Sequence, residues 1–328
     1  MAAQTQTLRI AAIADEAQDI RTYRLVGTDG SPLPAAPPGS HLDLYLPDGL
    51  VRQYSLCQDP GDRHAYLIAV KREPASRGGS AWLHDRAAEG MTLEAGLPRS
   101  ILAPAPAARH HILLAGGIGI TPLYSLAQFF EAAAASYELH YFVRSAAHAA
   151  FLGALRASPS SPRLHLHAGL PNDALAPTLV RILASQPAHS HVYVCGPVPF
   201  MDAVQTEAGR HWAPEHIHEE RFAAPAPQAH AAAANGAGTL EVVLASTGAT
   251  IPVAPGTSLL AALNRAGQAI PTSCEQGFCG TCMTGVVEGC IEHHDTFLTP
   301  EEQQSGRWIM PCVSHATGTR LVLSLIHI

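Results

Sequence analysis

Four cysteines constrain this chain more than any other feature. Cys274, Cys279 and Cys282 lie in C-E-Q-G-F-C-G-T-C, and Cys312 follows thirty positions beyond Cys282 in M-P-C-V-S. Gaps of four, two and then a long interval match the C-x4-C-x2-C…C spacing of plant-type [2Fe–2S] sites. Two irons need four thiolates converging on one compact group, so three come from a single tight loop and the fourth closes the site from a distant strand. Gly277 and Gly280 let that loop curl and turn its amides towards the cluster sulfurs, because glycine carries no Cβ penalty at unusual φ/ψ. A zinc knuckle or a group of buried free cysteines is the alternative. Zinc sites favour paired C-x2-C units, and the four-residue first gap fits them poorly. The pattern therefore predicts one-electron redox chemistry.

A length of 328 residues accommodates two or three domains, each with its own core. The formal charge of −7 and the absence of a basic run argue against a nucleic-acid partner. Nineteen histidines are present, mostly scattered singly. In Leu164-His165-Leu166-His167 they alternate with leucines, as on the solvent face of a strand. No H-x3–5-H pairing with cysteine appears, which disfavours a histidine metal site. Beyond the four cluster cysteines, Cys57, Cys195 and Cys290 form an odd remainder, which argues against a disulfide framework and for a reducing, cytoplasmic setting. Met1 to Ile20 shows no charged n-region followed by an apolar h-region, so no signal peptide is expected. Ile112 to Phe130 is uncharged, but Gly116, Gly117, Gly119 and Pro122 interrupt it near its start. That punctuation predicts strand, tight loop and helix, with no membrane span.

The order of patterns suggests several domains. Residues 1–106 read as an antiparallel β-barrel, with runs such as Leu42–Leu46 and Tyr66–Val70 divided by Pro/Gly turns. Residues 107–222 read as an α/β domain with a parallel sheet. Its strands His111–Ala115, Leu139–Val143, Arg163–His167 and His191–Cys195 alternate with helical stretches such as Leu123–Ala135. Residues 223–238 are rich in Ala and Pro and read as a linker. Residues 239–328 carry the cysteines, with a hairpin (Leu240–Leu244, Ile251–Val253) and a helix (Ser258–Gly267) before them.

Three further motifs suit phosphates and flat rings. Ala115-Gly116-Gly117-Ile118-Gly119-Ile120-Thr121-Pro122 follows an apolar strand and opens a helix, where a pyrophosphate can meet backbone amides. Glycines in an ordinary βα turn give the same string, since it is not G-x-G-x-x-G. A second signal, Cys195-Gly196-Pro197, ends a later strand of the same sheet, and ligands of open parallel sheets bind beyond such carboxyl ends. Upstream, Arg52-Gln53-Tyr54-Ser55 offers a guanidinium, an aromatic ring and a hydroxyl on one strand. Arg77-Gly78-Gly79-Ser80 precedes the helix-like Ala81–Ala88 and forms another phosphate cradle.

Together, R-Q-Y-S-L, R-G-G-S-x-W-L-H, A-G-G-I-G-I-T-P, C-G-P and the cysteine pattern resemble the phthalate dioxygenase reductase family over nearly the whole chain. The resemblance implies a multidomain protein: an FMN-binding barrel, an NAD(P)-binding α/β domain and a C-terminal β-grasp ferredoxin domain. It implies FMN contacts at Arg52, Gln53, Tyr54, Ser55, Ala69, Val70, Lys71, Gly78, Gly79, Ser80 and Phe222. Phe222 at the end of H-E-E-R-F is read equally well as a core residue at a domain edge. Nucleotide contacts are implied at Gly116, Gly117, Gly119, Thr121, Pro122, Arg144, Cys195, Gly196 and Pro197. His294, where relatives tend to have Arg, and the tail Ser324–Ile328 depart from the family pattern.

The implied activity is an NAD(P)H-dependent flavin iron–sulfur oxidoreductase. A hydride carries two electrons and the cluster takes one, so a flavin beside Ser55 mediates between them. Cys195, with no basic neighbour in sequence, reads as a nicotinamide-contact and packing residue rather than a nucleophile. The implied partner is the terminal, Rieske-type subunit of an oxygenase used in aromatic degradation. Arg144 at a strand end leans towards the 2′-phosphate of NADPH, whereas the resemblance favours NADH. A stand-alone NAD(P)H–ferredoxin or acceptor reductase, and a non-enzymatic [2Fe–2S] redox sensor, remain as rivals. Two nucleotide motifs speak against the sensor, which needs no hydride donor. From Thr239 onwards, seven acidic and three basic residues give a balance of −4, suited either to a basic partner or simply to solubility.

Overall fold

Short period-two runs in the first hundred residues leave one face of every strand apolar, and such a sheet must close on itself to bury them. In the computed structural model, which describes residues 4–74, 76, 78–159, 161–184, 186–210, 212–222, 240–277, 280–295 and 297–325, these runs form β1 (Thr5–Ala17), β2 (Ile20–Gly27), β3 (Ser40–Tyr45), β4 (Val51–Ser55), β5 (Tyr66–Lys71), β6 (Thr92–Gly96) and β7 (Arg99–Ser100). The antiparallel order is β4-β3-β6-β1-β2-β5, with β7 against β3. A bridge between Leu56 and Ile68 joins the two ends. Alternate residues point inwards: Leu8 and Ile10, Tyr23 and Leu25, Leu42 and Leu44, Tyr66 and Ile68 are all fully buried. Two register shifts in β1 bend it around this core. Helix α1 (Gly79–Arg86) packs on β5.

The next segment is a five-stranded parallel sheet. Strands β8 (His110–Gly116), β9 (Tyr137–Val143), β10 (Leu164–Ala168), β11 (Ser190–Cys195) and β12 (Ile217–Glu220) lie in the order β10-β9-β8-β11-β12. The chain winds outward from β8, then returns to its other side, so the order reverses between β8 and β11. Helices α2 (Ile120–Ala132), α3 (Leu152–Ala157), α4 (Asn172–Leu183) and α5 (Val198–Ala208) connect the strands. One face packs Leu113, Ala115, Leu139 and Tyr193 with α2, and the other packs Ile112, Leu114, Val192 and Val194 with α4 and α5. Both faces being covered, the central strands read as continuous apolar runs.

Barrel and parallel sheet share one core. Cys57, Ala69 and Leu102 join Leu113, Ala115, Ile120 and Cys195 in a single buried cluster. Polar contacts seal its rim: Gln128 Nε2 donates to the Cys57 carbonyl at 2.9 Å, and the Ala105 amide to Tyr193 Oη at 2.8 Å. Residues Ala2–Phe222 accordingly pack as one compact unit and Ala223–Ile328 as a second.

The second unit holds β13 (Leu240–Leu244), β14 (Thr250–Val253), β15 (Thr284–Glu288), β16 (Ile291–Glu292), β17 (Trp308–Ile309), β18 (His315–Ala316) and β19 (Arg320–Ser324), with α6 (Leu259–Arg265) and α7 (Pro300–Ser305). Its main sheet runs β14-β13-β19-β15-β17, with β13 and β19 parallel and the other pairs antiparallel. Leu259, Leu260 and Leu263 of α6 enter the core beside this sheet, giving the mixed-sheet-and-helix pattern of a β-grasp fold. Ser258 Oγ accepts the Ala261 amide at 3.2 Å and starts α6, while Thr299 and Glu302 form a reciprocal capping box on α7.

Three sequence expectations need adjustment. Helix α2 starts at Ile120, earlier than Leu123, because Pro122 sits in the first turn, where a missing N–H is tolerated. Strand β12 escaped notice because I-H-E-E carries charges on a strand that sits at a sheet edge. The histidines of β10 divide: His165 is exposed as expected, whereas His167 is half-buried and stacks on Phe142 at 4.3 Å. The expected linker 223–238, Arg77, Cys279 and the tail residues Ile326–Ile328 lie outside the described residues. Among the described residues no helix is long and apolar enough to cross a membrane.

At the reversal of strand order, Gly119 is pressed against the neighbouring strand. A Cβ there would stand 2.2 Å from the Cys195 carbonyl oxygen, a backbone atom that cannot step aside. Gly119→Ala is expected to destabilise the protein by about 1–3 kcal/mol or more, the usual range for forced overpacking. Urea unfolding of the full chain, compared with Gly153→Ala in α3, where a Cβ meets nothing within 4 Å and the backbone is not left-handed, checks this.

Candidate active site and cluster loop

Strand β4 carries Arg52, Gln53, Tyr54 and Ser55, and α1 begins directly against it. Gly78 sits at the N-cap with φ 96°, and a Cβ on Gly79 would stand 2.5 Å from Arg52 Cγ and 3.1 Å from Tyr54 Oη. The Gly78 and Ala81 amides donate to Ser76 Oγ at 3.1 and 3.3 Å, and this helix start lies against the Arg52 side chain and the Tyr54 phenol. A helix start beside an arginine and a phenol has the chemistry that suits a phosphate attached to an aromatic ring. Ser80 Oγ bonds Ser76 Oγ at 3.0 Å, Gln53 Nε2 lies 3.3 Å from His41 Nε2, and Lys71 pairs with Glu73. Ala69 and Val70 are buried in the adjoining β5, and burial raises the Tyr54 phenol, keeping it neutral.

The end of β4 meets the carboxyl end of the parallel sheet. Ser55 Oγ donates to Glu220 Oε1 at 3.2 Å across 165 residues of sequence, and Glu220 pairs in register with Cys195. Glu220 is 6% exposed, its Oε2 has no hydrogen-bond partner, and burial pushes its carboxyl up to about 8. Its neighbour Glu219 points the other way and is held by Arg221 at 2.9 Å. Cys195 is fully buried within the shared core, and desolvation raises its thiol well above the ordinary range, which favours a packing role over a thiolate. Phe222 follows, half-buried against the shared core. Sequence reasoning quoted H-E-E-R-F but missed Glu220. Its alternation with Glu219 shows that the two face opposite ways, but not which one meets Ser55.

On the other side of Cys195, the two glycine motifs touch. The Gly116 Cα lies 3.0 Å from the Cβ position of Gly196, and Phe200 closes against both glycines. Thr121 Oγ1 donates to the Ile118 carbonyl at 3.0 Å and, with Pro122, fixes the first turn of α2. Gly117 has φ 54° and open space around it. Pro197 is exposed at the N-cap of α5. Arg144 is exposed just past β9, away from Cys195 by two strands.

In the second unit, Cys282 Sγ and Cys312 Sγ are 3.3 Å apart, and the Gln276 amide donates to Cys274 Sγ at 3.3 Å. Gly277 and Gly280 both adopt positive φ, and a Cβ on Gly280 would enter the Phe297 ring at 2.3 Å. The buried Asp295 carboxylate braces the floor of this loop by accepting from Ser314 Oγ and the Leu298 amide, each at 3.0 Å. The Cys282 thiol, then burial, push the Cys312 thiol up. Crowded sulfurs of this kind are stable as thiolates only around a cationic centre, so the donor set fits an iron–sulfur cluster. Cys279 is outside the described residues, and Cys290 is exposed.

The Glu220 carboxyl has a consequence for stability. Its native value, about 8, lies above the ordinary 4.5, so the folded state holds a proton that the unfolded state releases between these limits. Stability is fully present below about 4.5 and is lost as pH rises through about 8, at no more than about 1.4 kcal/mol per pH unit from this group. Glu220→Gln is expected to flatten this part of the pH–stability curve and to be the more stable protein at pH above 8. Urea midpoints of both proteins measured from pH 5 to 9 test this; parallel curves would refute it.

Comparison with known proteins agrees with this arrangement. Residues 242–317 match the 2Fe-2S iron-sulfur cluster binding domain, and residues 91–216 match the N-terminal domain of dimethylamine monooxygenase subunit DmmA-like proteins. A vanillate O-demethylase oxidoreductase of Pseudomonas putida is 43% identical over 95% of this chain and 97% of its own. The phenoxybenzoate dioxygenase subunit beta of Ectopseudomonas oleovorans is 42% identical over 97% of both. Among solved structures, phthalate dioxygenase reductase, described as a modular structure for electron transfer from pyridine nucleotides to [2Fe-2S], superposes with a TM-score of 0.75 at 34% identity over 98% of both chains. With barrel, parallel sheet and cysteine loop in the same order and matched end to end, the chain belongs to the phthalate dioxygenase reductase-like family of iron–sulfur oxidoreductases.

Proposed function

We propose that the chain is the reductase component of an oxygenase system, passing electrons from NADH through FMN and the [2Fe–2S] cluster to a Rieske-type terminal oxygenase in the cytoplasm. The observation that carries this reading is the Ser55–Glu220 contact, where the ring-binding strand of the barrel abuts the carboxyl end of the nucleotide sheet. We assign residues 1–106 to flavin, 107–222 to the pyridine nucleotide, 223–238 to a linker and 239–328 to the cluster.

Bound FMN supplies the conversion of a hydride's electron pair into single electrons, and the cluster carries those one at a time. The rest falls to this chain. Arg52 and the start of α1 at Gly78, Gly79 and Ser80 would hold the flavin phosphate. Ala69, Val70 and Lys71 flank the ring from β5, and Phe222 covers it. Glu220, protonated at neutral pH, orients the Ser55 hydroxyl and keeps a proton beside the hydride path without placing a charge there. Gly116, Gly117 and Gly119 leave room for the pyrophosphate at the start of α2, while Cys195, Gly196 and Pro197 form the wall for the nicotinamide. A net charge of −4 in the cluster unit suits a basic face on the acceptor.

Modularity is testable at the cluster. Cys282→Ser is expected to lose iron, retain acid-extractable FMN and retain the fast bleaching of flavin by NADH in stopped flow, while reduction of the oxygenase component is abolished. Loss of flavin reduction together with iron would reject separate cores, and equimolar FAD in the extract would reject FMN.

Nucleotide choice is testable at Arg144. Its exposed guanidinium lies near the end of the second sheet strand, where a 2′-phosphate would fall, yet one surface cation rarely fixes a preference built from several contacts. The wild type is expected to show higher kcat/KM with NADH than with NADPH, and Arg144→Ala to retain the NADH value within about threefold, the scale of a contact worth under 1 kcal/mol. A wild-type preference for NADPH that collapses in Arg144→Ala would overturn this choice.

A further inference from the structure

The parallel register of β9 and β10 sets His165 opposite His140, and Glu138 lies two positions before His140 on the same face. The two imidazoles stack at 4.5 Å between centroids. His140 Nε2 lies 3.4 Å from Glu138 Oε1, and His165 Nε2 lies 4.0 Å from Glu138 Oε2. One ligand atom from each residue lies within 4.8 Å of the others. These groups are on the sheet face opposite Cys195 and Glu220, since they alternate with Leu139 and Tyr141 of the shared core. They are also separate in sequence from the cluster cysteines.

Two details distinguish this trio from a chance gathering of polar side chains. His140 is nine-tenths buried, with 9% of its side chain exposed, and its Nε2 has no hydrogen-bond partner although it faces Glu138 and His165. A buried, unsatisfied ring nitrogen is costly unless something accepts its lone pair. The surrounding residues also hold the ligands in coordinating form. His140 Nδ1 lies 3.1 Å from His167 Nε2, and the tautomer that donates a proton from Nδ1 across this contact leaves the lone pair on Nε2. Gln186 Nε2 donates to Glu138 Oε1 at 2.9 Å, leaving Oε2 open towards His165. Partners of this kind fix the tautomer and orientation of metal-binding histidines and carboxylates.

We propose that Glu138, His140 and His165 form a binding site for a divalent transition ion of the zinc class, which clasps edge strand β10 to β9. Two imidazoles and a carboxylate are a zinc-type donor set, with a fourth position left for water. Tetrahedral zinc with ligand bonds near 2.1 Å requires donor atoms about 3.4 Å apart. His165, whose side chain is 46% exposed, is free to close the remaining gap, while His140 stays fixed by its packing.

The test uses the cluster-loaded, flavin-loaded full chain dialysed against micromolar ZnCl2, with zinc and iron counted together by plasma mass spectrometry. The wild type is expected to retain one zinc per chain with its iron unchanged, and to melt at higher temperature in zinc. His165→Gln and Glu138→Gln are each expected to weaken zinc retention at least about tenfold and to abolish the thermal shift, and His167→Ala to weaken it by about 10–100-fold. His165 is a half-exposed position, so iron and flavin contents like those of the wild type confirm that this variant is folded. No retained zinc in the wild type, equal retention in His165→Gln and Glu138→Gln, or zinc that rises only as iron falls would each overturn the proposal.

Discussion

The core shared by the barrel and the parallel sheet is the constraint on which the rest of the Ala2–Phe222 unit depends. Cys57 and Ala69 from one lobe and Ala115, Ile120 and Cys195 from the other exclude water as a single cluster. Small side chains at these positions allow a close approach, and the apolar area removed from water favours one docking geometry. That geometry brings Ser55 to Glu220, and it also aligns the α1 cradle with the strand ends of the nucleotide sheet. A looser interface would leave the same residues present but too far apart to meet.

Electrostatic cost is concentrated where cofactors act. Glu220 is buried with one oxygen unsatisfied, and Cys282 and Cys312 crowd their sulfurs. None of these arrangements favours the empty fold. The crowded sulfurs become favourable when an iron centre supplies the missing cation, so cluster binding and folding stability are coupled. The Glu138–His140–His165 trio shows a similar concentration of polar groups on the sheet face opposite Glu220.

Much of the fold was legible in the residues themselves. Period-two runs between Pro/Gly turns marked the barrel, and apolar strands alternating with helices marked the parallel sheet. The cysteine spacing, local within Cys274–Cys282, carried its chemistry because three ligands of one compact group must share one loop. The glycine string was read as a phosphate turn or a tight βα turn, and the structure adds a close approach at Gly119, where a Cβ would stand 2.2 Å from the Cys195 carbonyl oxygen. Strand β12 stayed hidden because its I-H-E-E pattern has too few apolar positions to announce a strand that is buried only at its end.

Sequence alone therefore determined which local segments form, which loops can receive a phosphate or a cluster, and the family to which the chain belongs. Tertiary structure decided the partnerships. Ser55 and Glu220 are separated by 165 positions, and His140 and His165 meet only through the register of two parallel strands. Periodicity reveals which face of a strand a residue occupies, but not which strand lies beside it or how the two are aligned. Those choices are made by the burial of whole faces against one another, a collective property that no single motif carries.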